Sequence, residues 1–275
     1  MNAIIVLAIG EKYEEILRQC LPQFLAYAAR CNAVLEVCRE YPDPSKKNNL
    51  FKQKLLLPQI YSQYDWIAFF DLDILISKFA PSIFDFIEEG KGFGAILDPR
   101  GEPWFEYANT HWHKNPALNK VTPAQIAMER GFPENPHYTG TINGGVWLAK
   151  PSSIATLFSQ FYWNSENQVG PFVIHEEVPM AYLSQTHDLF FSITEKFNAQ
   201  VLYLISKENS ERNYFLCKIQ KKINKRICNL FPKSTYQFMF GQYEQLIDNS
   251  LQKNYVIHFS GNFPIPQNIF NALGR

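Results

Sequence analysis

Cysteine is scarce and unpatterned in this chain. Its five cysteines, Cys20, Cys31, Cys38, Cys217 and Cys228, are odd in number and form no Cys-x-x-Cys. That excludes a fully paired disulfide framework and gives no zinc knuckle. Buried, reduced thiols are expected instead, as in a cytoplasmic protein. Excess charge is missing too. The 26 basic residues balance 26 acidic ones, which argues against a general nucleic-acid binder. No run approaches the roughly 20 apolar residues of a membrane-spanning helix. The N-terminal segment has no basic region ahead of its apolar run, so it reads as a first strand and not as a signal peptide. Low-complexity tracts and internal repeats are absent.

What is present suits one large core, or a core with a smaller lobe. Apolar residues make up 46% of the chain and aromatics 15%. Aromatic richness fits sugar-facing surfaces and ordinary cores alike. The most informative stretch runs from Tyr64 to Ser77. An apolar run, Trp66 to Phe70, meets Asp71 and Asp73 and then returns to Ile74-Leu75-Ile76. An unpaired carboxylate is costly inside a core, so the strand is expected to end at about Asp71 with both acids at its mouth. In open α/β sheets ligands bind at the carboxyl ends of the strands. The Asp-x-Asp spacing lets both acids reach one hard divalent cation. An ordinary acidic turn fits the tripeptide equally well.

Around this stretch, Ala3 to Ile9, a helical pattern from Glu11 to Arg30 and Ala33 to Val37 make a βαβ opening, which predicts a parallel sheet. Pro22 is expected to kink or split the helix. Backbone at Ala8 and Ile9, with Tyr13 nearby, could hold a nucleotide base or simply turn from strand to helix. A helix from Phe51 to Tyr61 carries Lys54, with a kink expected at Pro58. Further expectations are a helix from Pro81 to Glu89, a strand from Gly94 to Leu97, an aperiodic aromatic stretch from Asp98 to Thr122, and a short helix capped by Thr122 and ended by Gly131. In that aperiodic stretch His111 and His113 have a metal-compatible spacing but no third ligand nearby. Tyr138 to Lys150 reads as a strand interrupted by Asn143-Gly144-Gly145, and such glycines mark a bulge or a close approach of the backbone to a ligand. Ser152 to Phe161 is helical. His175, Glu176 and Glu177 stand at a helix entry, where acids also simply favour the helix dipole. Short strands are expected at Leu189 to Ile193 and Val201 to Leu204, and a last one from Tyr255 leads to His258 and Gly261. Lys218 to Arg226 is a basic amphipathic helix, either a solvated face or a patch for an anionic membrane or glycan.

Taken together, the strand-end Asp-x-Asp, the Asn-Gly-Gly strand, the His-Glu-Glu helix entry and the terminal Ile-His-Phe-Ser-Gly resemble the nucleotide-sugar glycosyltransferases of the GT-A fold. The retaining glycosyltransferase family 8, which includes the glycogenins, is the most similar. The resemblance implies a single α/β domain over residues 1–275, with a mainly parallel mixed sheet flanked by helices. Residues 1–98 would form a nucleotide-binding half, 99–204 a donor-sugar and acceptor half, and 205–275 a C-terminal helical segment with a metal-ligand strand. It implies that Asp71, Asp73 and His258 bind Mn²⁺ (or Mg²⁺), a mixed O/N shell that suits such ions. It also implies that Ala8, Ile9, Tyr13, Lys54, Asp71, Asn143, Gly144 and Gly261 hold the donor. The His-Glu-Glu segment resembles retaining family 6 enzymes at least as well. By that match Glu177 lies beneath the anomeric carbon and Glu176 hydrogen-bonds the donor sugar. The chain departs from family 8 in lacking a lysine after Gly261.

The expected activity is therefore metal-dependent, retaining transfer of a hexose from a UDP-sugar to a carbohydrate or glycolipid acceptor. The protein would be cytoplasmic, with peripheral contact at the inner membrane face through Lys218 to Arg226. Two rivals remain: a sugar-1-phosphate nucleotidyltransferase, although Gly10-Glu11-Lys12-Tyr13 is not that class's glycine- and cation-rich loop, and an inactive nucleotide-sugar binder.

Overall fold

Strand β1, Ala3–Leu7, is buried along its whole length, because its alternate side chains enter two different layers. Ala3, Ile5 and Leu7 join one apolar cluster, and Ile4 and Val6 join another. A strand covered on both faces reads as an unbroken apolar run. The computed structural model describes the chain except residues 48, 112, 165–174, 208–232, 262, 264 and 267–275, and the side chains of 233–240 and 242. The basic segment Lys218 to Arg226 lies outside the described residues.

Beside β1 stand β2, Val34–Cys38, and β3, Ile67–Phe70, both parallel to it. The sheet continues through β6 (Ile142–Ala149), β5 (Phe93–Leu97) and β7 (Phe190–Ser192), in the order β2-β1-β3-β6-β5-β7. Only β6 runs against the other five. A second, three-stranded sheet contains β4 (Ile74–Ile76), β9 (Val256–His258) and β8 (Ala199–Gln200), with β9 in the middle. Asp71, Leu72 and Asp73 are thus the link by which the chain leaves the large sheet and enters the small one.

Helix α1, Glu11–Arg30, covers one face of the large sheet. Phe24 and Tyr27 set their ring edges against Phe70, at centroid separations of 6.4 and 5.7 Å. Such aromatic pairs add roughly 0.5–1.5 kcal/mol beyond their burial. Of the two expected effects of Pro22, a split does not occur: the helix runs through it. Buried Leu17, Cys20, Phe24 and Tyr27 lie on both sides of it and hold the helix as one piece. Next to Pro22, buried Gln23 donates to the carbonyl of Ile74 and accepts from the N–H of Ile76, each at 3.0 Å.

The expected helix from Phe51 to Tyr61 divides into α2 (Leu50–Gln53), a 3₁₀ turn (Lys54–Leu56) and α3 (Leu57–Ile60), so the break falls just before Pro58. The expected helix from Pro81 to Glu89 shrinks to a 3₁₀ turn, Ile83–Phe86. The Tyr27 hydroxyl donates to the Pro81 carbonyl and accepts from the Ile83 N–H, which binds this backbone to α1 instead.

Pro103–His111 forms α4, a helix where no period was legible. Thr122 caps α5 (Pro123–Glu129) through a reciprocal pair with Gln125, and Gly131 follows at positive φ. After α6 (Pro151–Asn164) and α7 (Glu177–Thr186) comes α8, Val201–Lys207. This last replaces an expected strand, because Val201, Leu202 and Ile205 pack together against the C-terminal helix Lys233–Lys253 and β9. No described helix is long and apolar enough to cross a membrane.

Candidate active site

Register brings the site together. Ile74 pairs with His258 in antiparallel β4 and β9, so the imidazole comes level with the turn that carries Asp73. The Phe259 N–H donates to the Asp73 carbonyl, and the Asp71 N–H donates to the Gly145 carbonyl, both at 2.8 Å. His258 Nε2 lies 3.4 Å from Asp73 Oδ1 and 3.9 Å from Asp71 Oδ2. One ligand atom from each of Asp71, Asp73 and His258 falls within 4.8 Å of the others. Among the described residues this group alone is placed to hold a metal ion, and His111 and His113 belong to no such group. The donor set fits the task. Two carboxylates and one imidazole are fewer ligands than a hard divalent ion takes, and the Asp73 side chain is 45% exposed. Burial disfavours the Asp73 charge, but His258 outweighs it and keeps the acid below its usual range.

The two glycines of β6 come close to protein side chains. A Cβ on Gly144 would stand 2.5 Å from Glu176 Oε1, and a Cβ on Gly145 would stand 2.2 Å from His258 Cε1. Here β6 also slips against β5: Ala95 pairs with Trp147, but Leu97 pairs with Ile142. The expected irregularity is therefore present. Gly145→Ala should displace the imidazole and cost about 1–3 kcal/mol of stability from overpacking. Denaturant unfolding checks this, and a midpoint equal to that of wild type would contradict it.

Lys54 is buried and spends all three of its hydrogens on protein acceptors. It reaches Asp71 Oδ1 and Glu176 Oε1 at 3.0 Å and the Gly144 carbonyl at 3.1 Å. Burial is the largest influence and works against its charge, but Asp71 and Glu176 together outweigh it and hold the ammonium's pKa above its ordinary value. Glu176 immediately precedes α7 and its side chain turns back toward β6. Its Oε2 is buried without a hydrogen-bond partner, and burial pushes this acid's pKa up. Glu177 Oε1 accepts from the Gly144 N–H at 3.0 Å. Neither acid is simply a solvated residue at a helix entry.

Burial and the neighbouring Glu176 push Glu177 up to about 7. A raised carboxyl pKa means that the folded protein keeps a proton that the unfolded chain has released. The contribution is complete below the ordinary glutamate value and lost as pH rises through about 7. The metal-free protein should therefore lose on the order of 2 kcal/mol between pH 4.5 and 7.5 from this group, a figure discounted for its partial contact with water. Thermal unfolding across that range checks it, and Glu177→Gln should flatten the dependence. An equally steep dependence in that variant would refute the assignment.

Ala8 and Ile9 are buried just beyond β1, and the Ala8 N–H donates to the Cys38 carbonyl. The register of β1 with β3, carried on from Ile5 opposite Phe69, sets them at the same carboxyl end of the sheet as Asp71. Tyr13 is partly exposed beneath Lys12, and Gly261 stands at φ +77° just after β9. His175 is exposed, with its ring 5.2 Å from that of Phe51. Asn143 Oδ1 accepts from the Gly145 N–H at 3.1 Å and from Asn198 Nδ2 at 2.8 Å. Asn198 itself carries no sequence signal, because it lies in a short turn with no motif around it.

This fold is that of GT-A glycosyltransferases. No protein-family model matches the chain, and no curated sequence is significantly similar to it. Solved structures do match. A glycosyltransferase involved in glycosylating the major capsid of PBCV-1 superimposes with a TM-score of 0.50 at 9% identity, covering 99% of this chain and 98% of that one. The glycosyltransferase GlyE of Streptococcus pneumoniae TIGR4 gives 0.51 at 10% identity, covering 100% of this chain and 61% of its own. WbbM, a bifunctional glycosyltransferase, gives 0.50 at 10% identity, with 99% of this chain and 49% of that chain covered.

Proposed function

We propose that this chain is a metal-dependent, retaining glycosyltransferase that moves a hexose from a UDP-sugar to a carbohydrate or glycolipid acceptor. The observation that carries this reading is the convergence of Asp71, Asp73 and His258 within 4.8 Å, at the end of the strand beside β1. Asp71, Asp73 and His258 would hold Mn²⁺ or Mg²⁺, which when bound supplies Lewis-acid stabilisation of the departing diphosphate.

The rest is done by the chain. Backbone at Ala8 and Ile9, with Tyr13, would receive the base, and Asp71 the ribose. Asn143, Gly144 and Gly261 would line the donor. Glu177, tied to the Gly144 N–H, would stabilise positive charge as it builds on the sugar ring, or attack the anomeric carbon transiently as the second carboxylate of a retaining glycosidase does. Glu176, with one oxygen unpartnered, would accept a hydroxyl of the donor sugar. Lys54 would hold Asp71 and Glu176 at a fixed separation.

The test is release of UDP from a panel of UDP-sugars with Mn²⁺, before and after EDTA. Release from at least one donor, lost on chelation, is expected. Full release with EDTA would overturn metal dependence, and no release from any donor would overturn hexosyl transfer.

A further inference from the structure

We infer that Asn198 is a positioning residue that sets the tautomer of His258, and that its own orientation is fixed by the main chain of β6. The inference builds on the reading of Asp71, Asp73 and His258 as a metal site, but it is tested separately from it.

The argument begins at a group whose role is not in doubt. The Gly145 N–H can only donate, and it meets Asn143 Oδ1 at 3.1 Å. That contact identifies the amide oxygen of Asn143. The second group on the same oxygen, at 2.8 Å, must then be a donor, which makes it the NH₂ of Asn198. The oxygen of the Asn198 amide is therefore the atom facing His258 Nδ1, also at 2.8 Å. An amide oxygen only accepts, so Nδ1 carries the imidazole proton. Nε2 is then the atom that faces Asp73 and Asp71, and in the neutral ring it carries the lone pair that a metal ligand needs.

The geometry around Asn198 supports a built relay. The residue is 4% exposed. It follows the 3₁₀ turn Glu195–Phe197 and immediately precedes β8, whose Gln200 pairs with His258. Gly145 also packs against the ring, where any Cβ would collide with it. Three residues thus fix the His258 imidazole: Gly145 and Asn143 from β6, and Asn198 just before β8. Outer partners of ligating histidines typically contribute 10–100-fold to metal affinity.

The experiment is ¹⁵N NMR of the histidine side chains in the metal-free protein at pH 8.5, with Mn²⁺ affinity measured by calorimetry. In wild type the proton of His258 should reside on Nδ1. Asn198→Leu should lose that signature and bind Mn²⁺ 10–100-fold more weakly. Asn198→Asp, which keeps an acceptor against Nδ1, should restore the signature. A wild-type proton on Nε2 overturns the inference, and this spectrum needs no variant to fold. So does an Asn198→Leu variant with unchanged tautomer and unchanged affinity. If wild type shows Nδ1–H but binds no Mn²⁺, the metal reading fails and the tautomer assignment stands.

Discussion

Asp73→Asn is expected to reduce sugar transfer by about 10²–10⁴-fold while leaving the fold intact. The substitution keeps the shape of the side chain and removes its charge. The carboxylate is near half exposed and lies in the turn between β3 and β4, so its loss opens no core cavity. The ionisable side chain closest to it is the His258 imidazole, with Nε2 at 3.4 Å. A bound divalent ion supplies several kcal/mol of charge stabilisation, and each 1.36 kcal/mol is tenfold in rate. The measurement is UDP release at saturating donor and Mn²⁺, alongside circular dichroism. Near-wild-type turnover would remove Asp73 from the site.

Lys54→Met should give the largest loss of stability of any single change in the site, about 3–5 kcal/mol. Removing one partner of a buried ion pair leaves the other charge uncompensated. Here two acids lose their counter-charge at once, Asp71 and the almost fully buried Glu176. The Gly144 carbonyl loses a donor as well. Adding Glu176→Gln to Lys54→Met should recover part of the loss, because one of the stranded charges is then gone. Urea unfolding of the single and double variants checks both statements. A loss below about 1 kcal/mol in the single variant would mean that the three contacts do not hold the site together.

The parts of this fold that local pattern dictates were legible. The Glu11 to Arg30 period marked α1, the apolar runs marked β1 and β3, and Thr122 marked the start of α5. The strand end at Asp71 followed from the cost of burying charge, and it is where β3 stops. What failed was decided at long range. The Val201 to Leu204 stretch has strand-like side chains, yet α8 forms because packing against the C-terminal helix and β9 overrides propensity. The segment after Pro81 has helical composition, but a single hydroxyl on α1 takes its backbone groups.

At the site, Asp71, Asp73 and His258 were legible as a set and are brought together. The glycines at 144 and 145 were legible as a close approach, although what they approach in this structure is Glu176 and His258. Asn198 was not legible, because its partners lie 55 and 60 residues away and an asparagine in a turn is unremarkable.

Gln23 has a consequence beyond holding α1 in place. In the small sheet, β4 pairs among the described residues with β9 alone, so the backbone groups on its other edge need partners from outside the sheet. The Gln23 amide takes the carbonyl of Ile74 and the N–H of Ile76, one acceptor and one donor, as a neighbouring strand would. An open edge is a template for pairing between molecules. One side chain on α1 thus takes the place of a neighbouring strand along that edge, directly behind the aspartates.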